Sequence, residues 1–127
     1  MKHKYNTKIS EIIGKTLSIV EQTDFAGDTL TFYADDGTIY DMYHSQDCCE
    51  SVTIEDICGA LQDLVGTPIL MAEEVCSEVN TEDAWDESAT WTFYKFATAK
   101  GYVTIRWYGT SNGYYSETAT FAERISN

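Results

Sequence analysis

The chain has 127 residues, 43% hydrophobic and 13% aromatic content, and a net charge of −13. That length suits one domain over residues 1–127 with a single modest core, and that composition excludes a disordered chain. Residues 16–94 hold 18 Asp and Glu and no Lys or Arg, so the basic stripe that follows a DNA or RNA backbone is missing and anionic membrane surfaces are disfavoured.

No apolar run approaches the ~18 residues that cross a bilayer. The opening "MKHKYNTKIS" carries charge with no apolar stretch behind it, so no signal peptide is expected. A cytosolic setting makes Cys48, Cys49, Cys58 and Cys76 reduced thiols.

Taken in chain order, the first predicted element is a short helix over about 7–14. Ile9, Ile12 and Ile13 share a face, Asn6 or Thr7 caps it and Gly14 ends it. "TLSIVEQT" alternates as a strand. "DTLTFYADDGTIYDMYHS" predicts a hairpin with a two-residue turn at Asp36-Gly37. The main helix is expected over about 53–65. Thr53 is its N-cap, Ile54, Ile57, Cys58, Leu61, Leu64 and Val65 its apolar stripe, and Gly66 its stop. "PILMAEEV" reads as a strand and "NTEDAWDES" as an acidic loop. The last third, from Thr90 to Phe121, divides into three strands with turns at Lys100-Gly101 and Asn112-Gly113. The expected fold is therefore α+β, a single antiparallel sheet of about six or seven strands decorated by two helices.

A turn at Lys100-Gly101 would place Lys95 opposite Arg106, and Phe93 opposite Tyr108, with Trp91 beyond on the same face. Val103, Ile105 and Trp107 would then face the core with Tyr94 and Phe96. Two cations directly opposite destabilise a sheet by roughly a few tenths to 1 kcal/mol, and an anion between them reverses that sign. An Arg fork suits a phosphate, and neighbouring rings can stack on a base for about 1–3 kcal/mol. The competing reading is plain: Glu117, diagonal to Arg106 across the second turn, neutralises it as a structural ion pair.

"HSQDCCE" gathers His44, Asp47, Cys48, Cys49 and Glu50. It lacks the ligand spacing of a zinc site, and a Cys-His nucleophile there has no identifiable oxyanion donors. No phosphate-loop, dinucleotide or hydrolase motif occurs. No metal, cofactor or catalytic residue is assigned, and the chain is expected not to be an enzyme.

The strings "QDCCE", "IEDICG" and "GYVTIRWYG" resemble a family of small phage-encoded proteins, the Thoeris anti-defence sponges, with the resemblance running from about Ile9 to Glu117. It implies a non-enzymatic protein that binds a cyclic ADP-ribose isomer, in some members also cyclic oligonucleotides, inside the infected bacterial cytoplasm. It implies a sheet with two helices and a homo-oligomer, with hexamers described for the family. It implies stacking on adenine by Trp91, Phe93 or Tyr108, phosphate contact by Arg106 with Lys95 beside it, and polar contacts from Asn112. The alternative is an acidic protein-interaction inhibitor, or DNA mimic, that blocks a bacterial defence protein through residues such as Glu73, Glu74, Asp83, Asp86 and Glu87.

Overall fold

β-Branched and aromatic residues alternating with polar ones run through most of this chain, and a pleated backbone sorts such residues onto two faces. The computed structural model describes residues 2–4, 6–23, 28–79, 88–113 and 115–125. Among these, eight strands form two antiparallel sheets of four. The first contains β1 (Leu17–Thr23), β2 (Thr29–Ala34), β3 (Ile39–Tyr43) and β8 (Thr120–Glu123), in the order β1-β2-β3-β8. The second contains β4 (Ser51–Cys58), β5 (Met71–Val79), β6 (Ser88–Thr98) and β7 (Gly101–Ser111), in the order β4-β7-β6-β5.

The sheets pack face to face around one core. Phe32 of the first sheet meets Phe96 of the second at 5.7 Å between ring centroids. Trp107, fully buried, donates its indole N–H to Met42 Sδ at 3.3 Å. Tyr94, Phe96, Val103, Ile105 and Trp107 all lie in this core, as their alternation predicts. Removing a ring such as that of Trp107 would cost about 3–5 kcal/mol.

The α+β expectation is therefore wrong: no α-helix occurs among the described residues. The first expected helix is a four-residue 3-10 turn, Ile9–Ile12. The chain beyond it is captured by backbone pairing, with Gly14 N donating to Ile69 O at 2.7 Å and Ile69 N to Lys15 O at 2.9 Å. The second expected helix is strand β4 followed by a 3-10 turn, Leu61–Leu64.

A β-bulge explains the second error. β4 pairs Ile54 with Trp107 and Ile57 with Ile105, and its register slips between Ile54 and Asp56. The extra residue lets two apolar side chains three positions apart turn toward one core, which imitates a helical i, i+3 spacing. Gly59 then turns the chain at φ +99°, where a Cβ would press on the Tyr102 carbonyl. β1 uses the same device. Its register slips between Leu17 and Ile19, so Leu17 and Val20 are buried while Ile19 is exposed.

The β2–β3 hairpin is present, but its turn spans three residues, 35–37, closed by Ala34 N to Thr38 O at 2.8 Å. The β6–β7 turn is centred on Ala99 and Lys100, because Thr98 pairs with Gly101. The third expected strand of the last segment does not continue the second sheet. The chain folds back after Ser111 and enters the first sheet as β8. The backbone of Glu117 crosses over Gly109, where any side chain would overlap the Glu117 carbonyl.

Candidate contact face and its charged neighbours

The register of the second sheet places Trp91, Phe93 and Lys95 of β6 and Arg106 and Tyr108 of β7 on the face opposite the core. Their side chains are half-buried rather than covered. Trp91 lies 4.7 Å from Tyr108 and 6.1 Å from Phe93 between ring centroids. The Arg106 guanidinium carbon sits 5.2 Å from the centre of the Trp91 ring, a cation–π arrangement. Five of the six expected ligand residues thus share one surface. Asn112 follows the end of β7, in a bend.

The expected pairing inside this surface is not present. The turn position moves the β6–β7 register by two residues. Phe93 stands opposite Arg106, Trp91 opposite Tyr108, and Lys95 opposite Thr104. On its other side Lys95 faces Glu73 of β5. Arg106 faces Asp56 of β4 and donates from Nε to its Oδ1 at 2.6 Å. No like-charge contact needs an anion to relieve it.

Glu117 is not the partner of Arg106 either. It is buried, and its carboxylate accepts from Ser88 Oγ at 3.1 Å, Thr90 Oγ1 at 2.7 Å and Ser111 Oγ at 2.5 Å. These three hydroxyls tie the returning loop to β6 and β7.

A denser polar cluster lies on the outer face of the first sheet, and the sequence reading missed it. Asp41 of β3 accepts from Arg124 Nε at 3.1 Å and Nη2 at 2.9 Å, and from Thr31 Oγ1 at 2.7 Å. His3 Nε2 lies 2.8 Å from Asp41 Oδ2, and the His3 ring stacks on Tyr43 at 4.9 Å. Burial pushes the Asp41 carboxyl up, but the hydrogen bonds from Arg124, His3 and Thr31 outweigh it and hold the group below its usual range. A carboxylate in mid-strand is the available signal, since strands are depleted in Asp unless a partner compensates it.

The "HSQDCCE" segment is also arranged around a carboxylate. His44 Nε2 lies 2.9 Å from Glu50 Oε2 and its Nδ1 lies 2.9 Å from Thr118 O. Glu50 further accepts from the amides of Asp47 at 2.9 Å and Cys48 at 2.8 Å. Burial raises the Glu50 pKa, yet these amides and His44 bring it down to about 2. Both ring nitrogens of His44 are committed to oxygen atoms, so neither is free to activate a thiol. The Cys48 and Cys49 sulfurs lie against each other, while Cys58 and Cys76 stand apart as free thiols. No group of three or more His, Cys, Asp or Glu among the described residues could hold a metal.

Two open grooves lie elsewhere. One, of about 1010 Å³, runs between the N-terminal segment and β8, lined by His3, Lys4 and Lys8 together with Glu74. The other, of about 540 Å³, lies beside the β2–β3 turn. Neither is lined by Trp91, Phe93, Arg106 or Tyr108.

A family profile described as a domain of unknown function, DUF7448, matches residues 10–121. The chain belongs to the DUF7448 family. No curated protein matches it, and no solved structure matches it. The DUF7448 description names no activity, and nothing in these matches links the chain to Thoeris anti-defence. No helix among the described residues of this DUF7448 chain is long and apolar enough to cross a membrane. Of the acidic residues considered for mimicry, Glu73 and Glu74 are exposed on β5, whereas Asp83, Asp86 and Glu87 lie outside the described residues.

Proposed function

We propose that this chain acts by binding, not by catalysis, and that its contact surface is the outer face of the second sheet, engaged by a protein partner with a basic surface. The observation that carries this reading is the Trp91–Phe93–Tyr108 cluster with Arg106 laid over Trp91, on a sheet face that neither of these two grooves enters. Trp, Tyr, Phe and Arg are the residues enriched in protein–protein contacts. Small-molecule sites, by contrast, are concave. The net charge of −13 favours approach by a cationic surface. This reading keeps the idea of an acidic inhibitor that blocks a bacterial defence protein.

Affinity capture from a bacterial lysate, followed by binding measurements on the purified partner, tests it. A partner with a basic surface is expected to lose at least ~tenfold in affinity on Trp91→Ala, as central aromatic anchors do, and to weaken with added salt. Equal affinity for wild type and Trp91→Ala ends the reading.

A second reading has one specific support. The Arg106 side chain keeps 38% exposure beside an indole, the pairing that stacks on a base and touches a phosphate. Sequestration of a cyclic ADP-ribose isomer at a junction between copies would use it. Calorimetry with cyclic ADP-ribose isomers decides: heat that disappears with Arg106→Ala supports sequestration, and no heat with any isomer removes it.

A further inference from the structure

An unpaired sheet edge is a template for another strand, and proteins usually disable it. Three of the four edges in this chain are disabled. β1 and β4 are bulged, and the amide of Ile54 on β4 is also taken by Asp28 Oδ2 at 2.7 Å. The edge of β8 is covered by the N-terminal segment, with Lys4 N donating to Glu123 O at 2.8 Å and Ile125 N to Lys2 O at 2.9 Å.

β5 is the fourth edge and is treated differently. It is nine residues long and pairs with β6 in unbroken register from Met71 to Val79. No strand lies on its other side among the described residues. The 3-10 turn at Ile9–Ile12 packs against it, and Glu74 lines a groove with Lys4, Lys8 and Ile9. Beyond that, Val75 is 42% exposed, and Cys76, Ser77 and Glu78 are exposed as well.

We propose that the open half of β5 takes up an extended basic segment of a partner protein as an added strand. The proposal rests on the protein-contact reading of the neighbouring face and names the chemistry of the partner. Alternation puts Glu74, Cys76 and Glu78 on one side of the strand and Glu73, Val75 and Ser77 on the other. A second β5 paired antiparallel over its full length would set Glu74 diagonal to the same residue and to Glu78 of the copy, which is unfavourable. A strand with Lys or Arg at alternate positions sets its cations beside Glu74 and Glu78 and its intervening residues beside Val75. Main-chain hydrogen bonds supply affinity in strand addition, and the alternate side chains supply selectivity.

The test uses the whole chain and three nine-residue peptides: one alternating Lys with Val, one with Glu in place of Lys, and the Lys peptide with a central Pro. Fluorescence anisotropy gives affinity, and amide hydrogen exchange locates the site. The Lys peptide is expected to bind and to slow exchange at residues 75–78. The Glu and Pro peptides are expected to fall at least ~tenfold in affinity, the latter because Pro removes a ladder donor. Glu74→Lys with Glu78→Lys should weaken the Lys peptide by a similar factor, while Tyr108→Ala leaves it within about twofold, since Tyr108 stands on β7, two strands from β5. That last variant separates failure of the edge from failure of the aromatic face. No binding overturns the proposal. So does equal binding of the Lys and Pro peptides, or binding without protection of β5, because either means general charge attraction.

Discussion

Two arginine–aspartate pairs stand on the outer faces of the two sheets, and their surroundings differ in nearly every respect. Asp41 is 5% exposed and Arg124 23%, and the carboxylate also receives His3 and Thr31. Asp56 is 45% exposed and Arg106 38%, joined by a single hydrogen bond of 2.6 Å. The first pair locks the N-terminal segment and the end of β8 onto β3. The second leaves its guanidinium lying on Trp91, open to a visitor. One pairing of residue types therefore serves as a structural lock where water is excluded and as a contact element where it is not. The local dielectric and the number of donors, more than the ion pair itself, set the difference.

The largest expected effect breaks the buried pair. Asp41→Ala strands Arg124 and removes an acceptor from His3 and Thr31. A loss of about 3 kcal/mol is expected, the low end of the range for breaking a buried pair because Arg124 keeps some solvent. Urea denaturation measures it. A change below about 1 kcal/mol, the range of exposed pairs, would erase the distinction between the two faces.

Acid titration sharpens the same contrast. The Asp41 carboxyl is held below its ordinary value of 3.8, and Glu50 is brought from 4.5 to about 2. A carboxyl with a depressed folded-state pKa binds fewer protons when folded than when unfolded. Its contribution to stability is complete above the unfolded value and disappears as pH falls through the folded one. The urea midpoint should thus hold steady down to about pH 5 and decline below it. Asp41→Asn should lower stability at neutral pH and flatten part of the acid decline. An unchanged slope would mean that Asp41 is not held in its charged form by the fold.

The misreading that reached the site was that of the bulged edge strand β4. Strands such as β6 and β7 alternate cleanly, and both their core face and their outer face were legible. β4 was not, because its bulge spaces Ile54 and Ile57 like a helix. That single error had a consequence for the site. With 53–65 assigned to a helix, Asp56 could not be seen as the neighbour of Arg106. The counter-charges left to the sequence were an anion held between Arg106 and Lys95, or Glu117. The turn at Ala99 and Lys100 compounded this by moving the register two residues, which keeps every side chain on its face but changes its partner. Faces follow from periodicity, whereas partners depend on loop geometry that local composition under-determines. The His3–Asp41–Arg124 cluster was illegible for another reason: its members are 38 and 83 residues apart in sequence.

The smallest expected effect belongs to the exposed pair and is the most discriminating. A double-mutant cycle of Arg106→Ala and Asp56→Ala should give a coupling of about 0.2–1 kcal/mol in stability, falling with added salt. If the outer face is a protein contact, Arg106→Ala should weaken the partner while Asp56→Ala changes it little, because Trp91 still supports the guanidinium. If the face holds an anionic nucleotide, Asp56→Ala should instead tighten binding, since removing the carboxylate frees a charge for the phosphate. The sign of the Asp56→Ala effect therefore separates the two readings of one surface, in an assay where stability stays nearly constant.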